Sequence, residues 1–138
     1  MNANAAPGFA KNPNHFVKIS PFSGQVLVKF RGEIIADSCN ALSVQERGYE
    51  VVYYVPRGDV RMELAQRTDL STNCPYKGDA SYYTFIIGDA RAVDAAWSYE
   101  SPYDEVLSIK EYLAFYSSRV EVVAVAGSFQ IREDQTLS

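Results

Sequence analysis

The chain has 138 residues, of which 47% are hydrophobic and 22% are charged, with a formal net charge of −4 at pH 7. This length fits one domain with its own core, and the composition is ordinary for a globular protein. The 13 Lys and Arg residues are scattered, so the sequence lacks a basic run that could track a phosphate backbone, and nucleic acid is excluded as an expected partner.

Residues 1–14 are rich in Asn, Ala, Pro and Gly, which predicts a mobile arm and not a signal peptide. Residues 15–131 are predicted to form a single β-rich domain, and residues 132–138 a polar tail. The longest apolar runs are only strand-length, so no membrane partner is expected. Two cysteines are too few for a disulfide framework. These features together predict a cytoplasmic protein.

From residue 15 onward, short apolar segments alternate with turn residues. In segment 25–31, for example, Val26, Val28 and Phe30 fall on one face, which is typical of a half-buried strand. The sequence predicts strands at 16–20, 25–31, 33–37, 42–46, 51–55, 82–87, 93–99, 112–116 and 120–126, with a weaker one at 128–131. About nine short strands separated by turns predict an all-β domain.

Two short helices interrupt the strands. The first is predicted at 60–66, with Asp59 as its N-cap, because an aspartate carboxylate can accept hydrogen bonds from first-turn amides. The second is predicted around 104–109, after Pro102. Between the first helix and the next strand, segment 67–78 is predicted to be a loop, and loops commonly carry functional residues.

Cys74 and Lys77 are the sharpest local candidates for chemistry in that loop. A nearby ammonium favours the thiolate, which would make Cys74 a better nucleophile. The alternative is that Cys74 is a small buried residue and Lys77 a solvated turn residue. Cys39 lies in a turn and is expected to be inert.

Metal and cofactor motifs are missing from the sequence. A structural zinc needs about four Cys or His ligands with paired spacing, and the chain has two separated cysteines and one histidine. No glycine-rich phosphate-binding motif occurs. We therefore expect no metal and no cofactor. His15 lies next to the predicted arm, a poor position for a catalytic base, and we expect a partly exposed residue at the start of a strand.

Five further residues can be assigned either to structure or to a site. Glu46 and Arg57 flank apolar strands, where charges are either solvated or paired in a partly buried network. Tyr54, Trp97 and Tyr99 fit a plain core or the aromatic wall of a pocket. In the pocket interpretation, Arg57 and Lys77 hold an anionic group and Glu46 or Cys74 is the reactive partner.

Several sequence blocks occur in the order found in one known family. They are segments 32–38, 41–46, 53–60, 74–78, 80–83, 95–99 and 114–116. Over about residues 15–122, the chain resembles the family called domain of unknown function 427. The resemblance implies a compact β-tent domain, similar to the Mss4-like group. The resemblance also marks a set of residues as candidates for a site: Glu46, Tyr54, Arg57, Asp59, Cys74, Lys77, Gly78, Trp97 and Tyr99.

Two properties associated with that resemblance do not fit the residues. Many tent-fold proteins bind zinc through paired cysteines, and this chain lacks such pairs, so we expect the scaffold without its metal. Family members are sometimes labelled nucleotidyltransferase-like. Such transferases hold two metal ions with carboxylates at D-x-D spacing, and no D-x-D occurs in this sequence.

Two functions of different classes remain open at this stage. In the first, the domain has a pocket for a small molecule, which can be anionic, with or without catalysis. In the second, a non-catalytic module grips a protein or peptide with its aromatic face. The edge strands of such a domain could also pair into a homodimer. The sequence does not decide whether the protein is an enzyme.

Overall fold

The computed structural model describes residues 4–127, and antiparallel strands make up most of that part of the chain. The predicted all-β fold is confirmed. The described strands are β1 (Val17–Pro21), β2 (Gly24–Phe30), β3 (Glu33–Ser38), β4 (Leu42–Glu46), β5 (Val52–Tyr54), β6 (Ala65–Cys74), β7 (Gly78–Ile87), β8 (Ala90–Tyr99), β9 (Ala114–Phe115) and β10 (Glu121–Ala126).

The described strands form three open antiparallel sheets. Their strand orders are β1-β4-β5, β10-β2-β3 and β6-β7-β8-β9. A single bridge between Val55 and Leu113 connects the end of β5 to the segment before β9. The first and third sheets are therefore held together near one end of β5.

The four-stranded sheet carries a separate hydrophobic cluster on each face. Successive residues of a strand point to opposite faces, so Tyr82 and Tyr83 on β7 enter different clusters. Tyr83 packs in the cluster that contains Val26 and Val28 of β2. Tyr82 packs in the cluster that contains Tyr54 of β5. Both faces of this sheet are thus covered, and the second cluster surrounds the candidate site.

The predicted helix at 60–66 and the predicted loop at 67–78 are wrong. Short 3₁₀ turns occupy Arg57–Asp59 and Met62–Leu64, and β6 then runs from Ala65 to Cys74. This strand lies at a sheet edge and is largely exposed, so its polar residues do not show the alternation expected of a half-buried strand. Asp59 accepts a hydrogen bond from Ser38 Oγ at 2.6 Å and does not cap a helix.

The other predicted helical segment is a 3₁₀ helix at Asp104–Ile109. Residues 4–14, predicted as a mobile arm, include helix α1 (Pro7–Lys11) and contact the domain. The amide of Gly8 donates to the carbonyl of Pro75 at 2.9 Å, and the amide of Ala6 donates to Glu105 at 2.8 Å.

The weak strand predicted at 128–131 and the tail predicted at 132–138 lie outside the described residues. Within residues 4–127, the helices are too short to cross a lipid bilayer.

Candidate functional site

The turn between β6 and β7 positions Lys77. Cys74 pairs with Gly78 across this hairpin, and the amide of Lys77 donates to the carbonyl of Cys74 at 3.2 Å. Gly78 has φ of 122°, a conformation that favours glycine because a Cβ would be strained there. The turn directs the Lys77 side chain inward, and the residue is only 6% exposed.

Glu46 connects Lys77 to His15. The ammonium of Lys77 donates to Glu46 Oε1, and Glu46 Oε2 lies 2.8 Å from His15 Nε2. Glu46 ends β4 and pairs with Val17 at the start of β1, which brings His15 alongside it. The His15 ring stacks on Tyr76 with centroids 3.8 Å apart. The structure therefore assembles a chain of three polar side chains at one end of the β1–β4 pair.

His15 is a contact that the sequence did not indicate. We expected a partly exposed residue at the start of a strand; the residue is of intermediate burial, and its side chain, 10% exposed, contacts Glu46. No local motif connects these two residues, which come together only through the pairing of β1 with β4.

Cys74 lies beside the same ion pair. Its Sγ is 3.9 Å from Lys77 Nζ, and the residue is half-buried, whereas Cys39 is exposed. The ammonium is shared between the thiol and Glu46, so the carboxylate offsets part of its charge. Cys74 and Lys77 are therefore neighbours, as the sequence predicted, with Glu46 as a third member of the group.

A cavity of about 320 Å³ opens next to Lys77, between β4–β5 and β7–β8. The residues that line it are Val44, Glu46, Tyr49, Glu50, Val52, Tyr54, Lys77, Tyr82, Trp97, Tyr99 and Tyr116. Glu46, Tyr54, Lys77, Trp97 and Tyr99, all predicted site residues, are thus found around one hollow. Trp97 Nε1 donates to the hydroxyl of Tyr54 at 3.2 Å, which fixes both rings in the wall.

Burial shifts the pKa of three tyrosines in this wall. Burial raises the pKa of Tyr54 and that of Tyr99 well above the usual value of 10.0, and it raises the pKa of Tyr116 to about 12. Each phenol therefore keeps its proton and can donate it in a hydrogen bond. Among residues 4–127, no hydrogen-bond partner is found for the Tyr99 hydroxyl, although Tyr99 is only 7% exposed.

Arg57 does not join this cavity. Its guanidinium donates to Tyr83 Oη at 3.2 Å, to Ser98 Oγ at 3.1 Å and to Glu100 Oε2 at 3.2 Å, and its Nε donates to the carbonyl of Glu111. Tyr83 follows Tyr82 on β7, and Ser98 lies between Trp97 and Tyr99 on β8. Successive residues of a strand point to opposite faces, so Tyr83 and Ser98 lie on the sheet face away from the cavity. The predicted arrangement of Arg57 and Lys77 around one anionic group does not occur.

Glu100 is the centre of this second network. Arg67 Nη1 lies 3.2 Å from its Oε1, and the hydroxyl of Tyr83 donates to its Oε2. Burial acts to raise the pKa of Glu100, but the hydrogen bond from Tyr83 and the charges of Arg67 and Arg57 outweigh it and hold that pKa below its usual value. The charged groups of this network are thus paired with one another.

A second cavity of about 430 Å³ adjoins the first. Glu50, Val52, Trp97 and Tyr116 line both cavities. The rings of Trp97 and Tyr116 pack with centroids 4.4 Å apart at this junction. Tyr82, Tyr116 and Val52 are wall residues that the sequence analysis did not select; Tyr116 ends one of the family-like blocks, and that was the only signal for it.

Metal binding finds no support in the described side chains. In the part of the chain that the structure covers, no three His, Cys, Asp or Glu residues come together as ligands would. The polar groups at the cavity are instead arranged as an ion pair and as phenol donors.

Comparison with known proteins agrees with the resemblance seen in the sequence. The model of the family described as domain of unknown function (DUF427) matches residues 18–126. The chain therefore belongs to this family, and the predicted resemblance is confirmed. A search of curated proteins finds no match.

Proposed function

We propose that this family member binds a small molecule in the cavity beside Lys77, with a hydrogen-bond acceptor of the ligand, such as a carbonyl oxygen, at Lys77 and Tyr99. One observation carries the proposal: a buried lysine–glutamate pair opens into a cavity walled by Trp97 and tyrosines. Hollows that combine aromatic walls with a few convergent polar groups are typical of ligand sites.

The buried ion pair itself is poorly explained by stability. Lys77 and Glu46 have side chains that are 8% and 15% exposed. Taking two charges out of water costs about as much as their attraction returns, and apolar residues of similar volume often stabilise a fold equally well. An ion pair placed at the wall of a cavity is therefore better explained by the group that it receives there.

The free donors at the cavity define what the ligand must offer. An ammonium has three N–H donors, and Lys77 directs one to Glu46 and lies near the Cys74 sulfur with another. The hydroxyl of Tyr99 adds a phenol donor. Because Lys77 and Tyr99 line the same cavity and both carry N–H or O–H donors, the fitting ligand group is an oxygen acceptor, such as the carbonyl of an amide, ketone or ester, or a carboxylate.

The charge balance favours the neutral form of that acceptor. Glu46 and Glu50 line the cavity together with Lys77, and Arg57 is on the other sheet face. Since Glu46 already offsets the ammonium, an anionic ligand would bring an extra buried charge, which is costly. A carbonyl avoids this cost.

The alternative of a peptide-binding aromatic face has less support. It requires aromatic residues on an exposed surface. Of the tyrosines that line the cavity, Tyr54, Tyr82 and Tyr99 are 2%, 7% and 7% exposed, whereas Tyr49 and Tyr116 are 66% and 38% exposed. Small-molecule binding uses these rings as they are, whereas a protein partner would have to reach into the cavity.

The fluorescence of Trp97 can test the proposal directly, because it is the only tryptophan in the chain and lies in the cavity wall. A panel of metabolites with carbonyl groups, each paired with its acid or alcohol analogue, would be titrated while fluorescence and melting temperature are recorded. We expect a carbonyl compound to change the fluorescence and raise the melting temperature.

Variants of both ionic networks supply the controls. Lys77→Met should weaken binding by about tenfold or more, since a hydrogen bond to a charged group contributes about 1.5–3 kcal/mol. Tyr99→Phe should weaken it by about two- to tenfold, since a hydrogen bond between neutral groups contributes about 0.5–1.5 kcal/mol. Arg57→Met should leave affinity unchanged. Equal affinity in wild type and in both cavity variants, or no response to any compound in the panel, would contradict the proposal.

A further inference from the structure

We propose that the ligand of this domain is amphiphilic, with an apolar tail in the cavity lined by β2, β5, β9 and β10 and an acceptor oxygen at Lys77 and Tyr99. This inference rests on the proposed function, because it assigns the second cavity to the same ligand. It adds the ligand's chemical class and the direction in which the ligand lies.

The second cavity has the lining of a site for hydrocarbon. Apart from Glu50 and Ser117, the described residues around it are valines and aromatic residues: Val26, Val28, Val51, Val52, Tyr53, Val55, Trp97, Phe115, Tyr116 and Val122. Val26, Val28 and Val55 have no exposed surface and lie behind the wall, whose accessible part includes Val51, Val52 and Val122. The accessible surface of this hollow is mostly apolar, so burying an apolar group against it is favourable.

The two cavities meet along the edge strand β5. Val52 of β5 and Glu50, just before this strand, line both, as do Trp97 and Tyr116 from the opposite side. Beyond this junction, the polar groups Lys77, Tyr54 and Tyr99 lie only in the first cavity, and the valines of β2 and β10 lie only in the second. The ammonium and the two phenols therefore lie at one end of the cleft, where the head of an amphiphile would bind.

The junction itself suits the middle of such a molecule. Trp97 and Tyr116 present large apolar rings that can pack against a chain or a flat group passing between the two spaces. Glu50 is exposed at the rim and can remain in water. A ligand without a tail would leave the larger, apolar space unfilled, and a ligand without a polar head would leave the donors of Lys77 and Tyr99 unused.

A series of straight-chain primary amides of increasing length tests this inference. Each added methylene that enters an apolar space should tighten binding about fourfold. We expect Kd values from Trp97 fluorescence to fall stepwise with chain length and to level off once the cavity is filled. Carboxylates of the same lengths serve to compare a charged head with a neutral one.

Filling the second cavity should abolish the increase in affinity with chain length. Val122 of β10 lines this cavity, and Val122→Phe would place a ring in it. Val125 lies on the same strand, faces the other way and is 45% exposed, so Val125→Phe is a matched control. In Val122→Phe, long amides should bind no more tightly than short ones, whereas Val125→Phe should behave as wild type.

The outcomes separate the two proposals. Binding that depends on Lys77 but does not tighten with chain length would overturn the amphiphile and leave the proposed function standing. A gain with chain length that persists in Val122→Phe would also overturn it, because the tail would lie elsewhere. If none of the amides or carboxylates binds, the assignment of an amphiphile with either head is wrong. The proposed function then still depends on the metabolite panel.

Discussion

Two carboxylates on opposite faces of the β7–β8 sheet have different surroundings. Glu100 lies among Arg57, Arg67 and Tyr83, and its side chain is 27% exposed. Glu46 has a 15% exposed side chain, holds the buried Lys77 and faces a cavity. The hydrogen bonds of the Glu100 network are made within the protein, whereas the Glu46–Lys77 pair adjoins an open cavity.

This difference teaches how a structural ionic network can be told from a candidate site. Both groups contain a carboxylate, a basic residue and a tyrosine, and both come from distant parts of the chain. Charge content does not separate them. What separates them is whether the protein supplies every hydrogen-bond partner and whether a cavity adjoins the group.

The largest expected effect comes from removing each carboxylate in turn. Glu46→Leu leaves the Lys77 ammonium buried without its partner and should lower the free energy of unfolding by about 3–5 kcal/mol. Glu100→Leu should cost only about 1–2 kcal/mol, because Arg57 and Arg67 can turn to solvent. Urea unfolding followed by Trp97 fluorescence measures both values.

A double variant sharpens this first prediction. Glu46→Leu combined with Lys77→Met replaces the ion pair by apolar side chains and should recover most of the lost stability. Equal losses for Glu46→Leu and Glu100→Leu, or no recovery in the double variant, would show that burial does not distinguish the two networks.

A smaller effect is expected at alkaline pH in the cavity wall. Burial raises the pKa of Tyr54 and of Tyr99 in the folded state, so above pH 10 the unfolded chain loses phenol protons that the folded state retains. The free energy of unfolding should therefore fall as pH rises, by about 1.4 kcal/mol per pH unit for each such group.

The tyrosine prediction has matched variants. Tyr99→Phe removes one protected phenol without removing a hydrogen bond found within residues 4–127. The fall in the free energy of unfolding above pH 10 should therefore become less steep by the contribution of one group. Val125→Phe, at a 45% exposed position, changes no titratable group and should leave the decline unchanged. An equally steep decline in wild type and Tyr99→Phe would argue against a protected phenol at this position.

The smallest effect concerns the reaction rate of one thiol. Because Lys77 Nζ lies 3.9 Å from Cys74 Sγ, Lys77→Met should slow alkylation of Cys74 by iodoacetamide several-fold at neutral pH. The exposed Cys39 should react at the same rate in both proteins and serves as an internal standard. Mass spectrometry of the labelled peptides gives both rates, and equal Cys74 rates would exclude activation by Lys77.

Much of the fold could be predicted because the alternation of apolar and polar residues along a strand indicates which of its faces is buried. Val26 and Val28 on β2 follow that rule and are fully buried. Segment 65–74 did not follow it, since an edge strand with exposed residues needs no apolar alternation. Local propensity there suggested a helix and a loop, and pairing with β7 decided otherwise.

The candidate site was predictable only in part. Cys74 and Lys77 are close in the chain and remain close in space. Arg57 was assigned to the same group because it also flanks a strand, but the sequence did not show which sheet face it would reach. His15 was set aside because it lies next to the predicted arm, and its contact with Glu46, 31 residues away, has no local signal in the sequence.

By itself, the sequence determined the fold class, the family and the presence of unusual polar residues at strand ends. These features are local, because they depend on alternation, on turn residues and on ordered blocks along the chain. The tertiary structure alone decided that Glu46, Lys77 and Trp97 share a cavity and that Arg57 lies behind the sheet. The reason is that pairing and twist of strands far apart in the chain set which faces meet, and no local pattern records those meetings.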